Sequence, residues 1–162
     1  LEDYCRLYLK VLEFLHNEAQ LLDSRQFIKW TSLFTEDSRY VIYAVVAVKK
    51  GSDPQKVILS SDTKATLLMK MRRLMEEYSW SENPYSKTVR MISNVTIDSI
   101  KDDHIKVSSI LLLIKNRVNT TDYIVAKRND ILMFEKEGIK IRYREVELIE
   151  YPQPYKNINL PL

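Results

Sequence analysis

Acid–base or metal chemistry in this chain would have to be built from few parts: two histidines, His16 and His104, one cysteine, Cys5, and a larger stock of carboxylates and arginines. His16 with Asp23 and Asp37 could form a His/Asp pair of the dehydratase kind, since the histidine lies on a helical stretch that Asp23 closes. The same residues have ordinary structural uses as a half-exposed helix position, a helix cap and a turn residue, and that reading is preferred. His104 follows Asp102 and Asp103 in a hairpin turn, where solvent exposure is the default. Arg90, Arg117, Arg128 and Arg144 fall on strands expected to be neighbours. Any of them that points inward must meet a carboxylate or a carbonyl, with Asp130, Glu145 and Glu147 as candidate partners. An anion pocket and a set of structural ion pairs both fit, and the ion pairs weigh more. The other legible inward positions are Leu, Ile, Val and Met, which leaves no converging polar groups for pocket chemistry. No catalytic, cofactor-binding or metal-ligating residue is therefore assigned.

Composition narrows the chemistry further. Gly51 and Gly138 are the whole glycine supply, which removes glycine-rich phosphate loops, dinucleotide fingerprints and nucleophile elbows. Two histidines fall short of a catalytic zinc site together with any second centre, and a single cysteine closes no internal disulfide. A net charge of +3 from 25 basic and 22 acidic residues, without a run of like charge, marks neither a nucleic-acid arm nor a membrane anchor. No apolar run reaches the roughly 20 residues of a membrane span. A reducing, cytoplasmic setting is expected.

The elements that must position these residues are legible in outline. Over Leu1–Leu22 apolar residues at Tyr4, Tyr8, Val11, Leu15, Ala19 and Leu22 recur at three-and-four spacing, the signature of an amphipathic helix. Leu7, Phe14 and Leu21 add a second stripe, more apolar surface than one core face needs. A shorter helix capped by Asp23 or Ser24 is expected through about Phe34, then a polar turn from Thr35 to Ser38 and a strand from Tyr40 to Val48. A third helix, capped by Ser60, Ser61 or Asp62, carries Leu67, Leu68, Met71, Leu74, Met75 and Tyr78 on one face. Lys87–Ile100, His104–Val118, Asp122–Phe134 and Ile139–Tyr151 read as four strands joined by short turns, an antiparallel meander. Helices followed by long antiparallel strands define an α+β domain, here one domain over residues 1–162. The order of elements fits the nuclear-transport-factor-type (cystatin-like) cone, with N-terminal helices packed on a curved, mainly antiparallel sheet.

Particular residues go beyond that outline. The run EFLHNEAQLLD from Glu13 to Asp23, with Phe27, Trp30 and the segment Leu33 to Asp37, resembles the opening of the β (small) subunit of aromatic-ring-hydroxylating dioxygenases. Arg72, Arg73 and Leu74, then Trp80, the Glu82 to Pro84 turn, Ser86 to Thr88, Arg90, Ser93 to Val95, Arg128 to Leu132 and Asn157 to Leu160 follow in that family's order. Two departures stand out: Met91 occupies a position where the family commonly has histidine, and Glu150 one where it tends to aspartate. The resemblance implies a non-catalytic assembly subunit. Its α (large) subunit partner would carry a Rieske [2Fe–2S] cluster and a mononuclear iron and dihydroxylate an aromatic compound with electrons from NAD(P)H. It also implies an α3β3 hexamer built on trimers, with this chain contacting α and other copies of itself. Trp80, Tyr85, Arg90, Tyr151 and Tyr155 are the residues expected at subunit contacts, the aromatic ones because they sit beside prolines outside any core stripe. A stand-alone cone isomerase, dehydratase or ligand-binding protein with an internal pocket is the alternative.

Overall fold

The computed structural model describes residues 2–46, 51, 53–81, 86–150 and 160–162, with residues 77–81 described by backbone alone. Nine elements follow in order: α1 (Glu2–Asp23), α2 (Phe27–Thr31), β1 (Phe34–Val46), β2 (Gln55–Thr63), α3 (Lys64–Ser81), β3 (Lys87–Ile100), β4 (His104–Arg117), β5 (Thr120–Glu135) and β6 (Gly138–Leu148). The strands form one sheet in the order β2-β1-β6-β5-β4-β3. The last four make the expected meander, while β1 lies parallel to β6 and antiparallel to β2. The helices pack over this sheet to give the expected cone.

The core lies between α1 and the inner sheet face. Val11, Leu15 and Leu22 on α1 meet Ile105, Val107, Leu111 and Leu113 on β4, Leu132 on β5 and Ile141 and Val146 on β6. Alternation along β4 is strict, with Ile105, Val107, Ser109, Leu111 and Leu113 buried, as expected of a central strand covered on one side. The second apolar stripe of α1, Leu7, Phe14 and Leu21, is partly buried and packs against this same core. Trp30, Phe34 and Tyr40 form an edge-to-face trio with ring centroids 5.0 to 6.1 Å apart, the arrangement aromatic quadrupoles favour.

Several expectations are corrected. The second helix stops at Thr31, has no side-chain cap, and Phe34 begins β1. Residues 35–38 lie within β1 and are not a turn; β6 brackets them, pairing with Phe34 and again from Arg39, with an irregularity between, and Ile141 N–H donates to the Leu33 carbonyl at 2.8 Å. β2 has no counterpart in the sequence reading. Being an edge strand with Ile58 and Leu59 exposed, it lacks the one-sided burial that makes a strand legible. The cap of α3 is Thr63, whose N–H donates to Thr66 Oγ1 at 2.9 Å while Thr66 N–H donates back to Thr63 Oγ1 at 3.3 Å. That reciprocal arrangement satisfies two otherwise orphaned backbone donors.

The turn between β5 and β6 depends on Gly138 at φ +120°, a conformation that side chains with a Cβ avoid. Nothing lies within 4 Å of where a Cβ would sit, so the cost of substitution is purely conformational. Gly138→Ala should destabilise the chain by about 1–2 kcal/mol, seen as a lower midpoint in urea unfolding. An unchanged midpoint would show that the turn relaxes freely.

Candidate functional site

Of the two readings of the inward arginines, the ion pairs are the one seen, and the inner face of the cone carries a cluster of charged side chains. Glu18 occupies the α1 stripe between Leu15 and Leu22, with 1% of its surface exposed. Its carboxylate accepts from Arg144 through Oε1 and, at 3.0 Å, through Oε2. Trp30 Nε1–H donates to Oε1 at 2.9 Å, and Arg128 approaches Oε2 at 3.5 Å. Arg144 also grips Asp130 through two bonds of 2.8 Å, from Nε to Oδ1 and from Nη2 to Oδ2. Asp130 and Arg144 are direct partners across β5 and β6, so the sheet register sets this fork. Two carboxylates and two guanidiniums balance without a net interior charge.

Electrostatics show which groups are available for proton transfer. Burial alone would raise the Glu18 pKa, but the opposing charges of Arg144 and Arg128 and the bonds from Arg144 and Trp30 bring it from 4.5 down to about 2. A base that weak does not take protons at neutral pH. Burial lowers the Arg128 pKa and the neighbouring Arg144 charge adds to this, against Glu18 and Asp130. For Arg144 the two carboxylates overcome burial and hold the proton firmly. Tyr40 is pushed up to about 12, chiefly by burial, and stays a neutral phenol.

A second polar assembly lies at the start of β3. Arg90 N–H and Nη1 donate to the two Asp23 oxygens at 2.8 and 2.6 Å, Thr88 Oγ1 adds a bond at 3.1 Å, and Arg90 Nη2 donates to the Pro161 carbonyl at 2.7 Å. Asp23 therefore caps no helix. Arg90, expected at a subunit contact, is buried in its own chain.

The structure does not bring His16, Asp23 and Asp37 together. His16 is exposed on α1, Asp23 holds Arg90, and Asp37 binds Thr35 and Arg142 outside the cone. His104 is half-buried and pairs with Asp103 at 2.7 Å. Arg117 is exposed at the end of β4. Of the proposed arginine partners Asp130 is the right one; Glu145 instead meets Lys56, and Glu147 accepts from Tyr43. Glu18 is the residue the sequence reading passed over, although it stands on the apolar stripe three residues after Leu15 and four before Leu22. A carboxylate there must find a cation. Trp80 lies on α3 but its side chain falls outside the described residues, as do Tyr85, Tyr151 and Tyr155. Among the described residues no three or more His, Cys, Asp or Glu side chains are grouped to hold a metal, and Cys5 is exposed.

Helices cradled in an open curved sheet make this a protein of the cystatin-like, nuclear-transport-factor-type fold class. The chain belongs to the ring-hydroxylating dioxygenase β-subunit family, whose description, ring hydroxylating beta subunit, matches residues 17–151. It is 30% identical over 131 residues to the biphenyl 2,3-dioxygenase subunit beta of Rhodococcus jostii, covering 76% of this chain and 70% of that one. A structure of naphthalene 1,2-dioxygenase with indole bound in the active site superposes with a TM-score of 0.80 at 19% identity, covering 93% of this chain and 83% of that chain. The β subunit of benzoate 1,2-dioxygenase from Burkholderia mallei gives 0.76 at 20%, over 93% and 95%. The two structures bear on the fold, and the family rests on the sequence match.

The depressed Glu18 pKa has a consequence for acid stability. Since the folded value lies below the unfolded one, ionised Glu18 stabilises the chain above about pH 4.5, and this contribution, about 3 kcal/mol, is lost as pH falls towards 2. Glu18→Gln leaves Asp130 as the one carboxylate of the cluster against two buried guanidiniums and should cost about 3–5 kcal/mol at pH 7. The gap from wild type should stay level from pH 7 to about pH 5 and narrow only between about pH 4.5 and pH 2 in urea unfolding. A gap that does not change with pH would show that the carboxylate charge is not what the arginines require.

Proposed function

We propose that this chain is the non-catalytic assembly subunit of its dioxygenase, and that the oxidative chemistry belongs to the α subunit that its family membership implies. The observation that carries this reading is the pairing of the interior acids: Glu18 and Asp130 are bound by Arg144, with Arg128 beside Glu18. A pocket enzyme needs a group free to exchange a proton with substrate, and Glu18, with its pKa near 2, is bound as a structural ion. The donor set points the same way. A Rieske centre takes two cysteines and two histidines and a mononuclear non-haem iron takes two histidines and a carboxylate, whereas this chain has one cysteine and two histidines. Both iron centres are proposed to lie on the α partner, which would dihydroxylate an aromatic compound with electrons from NAD(P)H. A single exposed cysteine suits a reducing cytoplasm, and among the described residues no helix is long and apolar enough to cross a membrane.

An α3β3 hexamer is the assembly proposed, and the outer sheet face supports a subunit contact. Met91, Leu112 and Val125 face one another across β3, β4 and β5, and Val89, Ile114 and Tyr123 form the next row. Val89, Met91, Tyr123 and Val125 are exposed, giving a contiguous apolar patch of the kind monomers seldom leave in water. Trp80, Tyr85, Tyr151 and Tyr155 remain proposed as further contacts, and 1–162 is proposed as one domain.

Co-expression with an α partner should yield a complex whose iron is lost when α is omitted, measured by metal analysis and intact mass. One iron per isolated chain, resistant to chelation, would contradict the reading. His16→Gln with His104→Gln should leave the activity of the complex within about twofold, whereas a loss of about a hundredfold with assembly intact would restore the pocket-enzyme alternative. Met91→Lys with Val125→Lys should weaken association about tenfold or more without unfolding the chain, measured by sedimentation. Unchanged association would move the contact elsewhere.

A further inference from the structure

Leu160 and Leu162 sit in the main core cluster inside the cone, with Leu162 fully buried. The segment Leu160–Leu162 is held by polar groups as well as by packing. Tyr40 Oη donates to the Leu162 carbonyl and accepts from the Leu162 N–H, both at 2.9 Å, and Arg90 Nη2 donates to the Pro161 carbonyl at 2.7 Å. Three residues thus lie inside the cone against apolar walls, a phenol and a guanidinium, the mixture of apolar lining and few polar groups that small-molecule sites have.

Arg90 is incompletely satisfied there. Its side chain is 1% exposed, and its Nε is buried without a hydrogen-bond partner among the described residues. Nε and Nη2 form one edge of the guanidinium, the same edge through which Arg144 holds both oxygens of Asp130 at 2.8 Å. On Arg90 this edge meets a single carbonyl oxygen, which engages Nη2 only. A carboxylate would satisfy both hydrogens in parallel, the geometry for which a guanidinium is shaped. The opposite side of the group is already committed to Asp23 through Nη1.

We propose that Leu160–Leu162 is a displaceable internal occupant of a binding site for a small apolar carboxylate, anchored on the Nε and Nη2 edge of Arg90 with the Tyr40 hydroxyl as a second contact. The two leucine side chains stand where the hydrocarbon body of the ligand would lie, and the Pro161 carbonyl where one carboxylate oxygen would lie. Arg128 adds a third donor to this interior, since its Nη2 is also buried without a partner among the described residues. A ligand entering the full chain must first expel the segment, so its apparent affinity falls by the fraction of time the segment is out.

The test uses benzoate as probe, with toluene and benzamide as controls, titrated by calorimetry into the full chain and into a chain lacking Leu160–Leu162. The shortened chain should bind one benzoate, about tenfold or more tighter than the full chain does, and about tenfold tighter than benzamide or toluene. Arg90→Lys in the shortened chain keeps the charge but not the fork, and should abolish the preference for benzoate over benzamide. A folded shortened chain that ignores benzoate, or binds toluene equally well, would overturn the proposal. Should the shortened chain fail to fold, Leu160→Ala with Leu162→Ala in the full chain loosens the segment while leaving its main chain in place. Benzoate affinity must then rise by about tenfold over wild type, and no rise would overturn the proposal equally.

Discussion

A carboxylate on the apolar stripe of a helix commits the rest of this molecule. Glu18 cannot be buried ionised without cations, so β5 and β6 must each deliver an arginine to the same point on α1, and α2 must bring the Trp30 indole N–H to it. Since Asp130 and Arg144 are cross-strand partners, a slip of one residue in β5 against β6 would turn one of them to the outer face. Leucines in these positions would pack in several registers. The ionic cluster makes one register distinctly better than its neighbours, at the expense of desolvating four charged groups. A cone held together in this way has its polar interior committed to folding, and catalysis by the same groups would require undoing it.

How much of this could be read from the chain depended on whether the signal was local. The amphipathic period of α1 and the alternation and turns of β3 to β6 are properties of neighbouring residues, and their boundaries agree within a few positions. β2 escaped because an edge strand with Ile58 and Leu59 in solvent has no buried face to set a pattern. The start of β1 escaped because Thr35 to Ser38 has turn composition, and the pairing with β6 that brackets it, at Phe34 and from Arg39, comes from residues about a hundred positions further on. Asp23 looked like a cap since caps are what aspartates at helix ends usually are, and its use as the counter-ion of Arg90 is visible only in three dimensions. Glu18 was different. Its place on the stripe was legible, and the need for a buried cation follows directly from that place.

Fold and interior carry different information about function. Hollow cones of this class host unrelated chemistries, so the architecture could not decide between an enzyme and an assembly subunit. The sequence relationship decided the family, and the interior shows Glu18 and Asp130 paired and packed under α1. The outer face shows the opposite economy, with apolar rows left open where a lone protein would be polar.

The parallel pairing of β1 with β6 also orders events in time. β1 leaves the ribosome long before β6, and it finds its inner neighbour only after the whole meander has been made. Until then only the β2 side of β1 can be paired, and its other edge remains an open template for strands of other chains. Contacts spanning about a hundred residues are slow to form, so the newly made chain passes through a period when it is vulnerable to mispairing. Closure of the sheet by β6 is what ends that period, and with it brings Arg144 to Glu18.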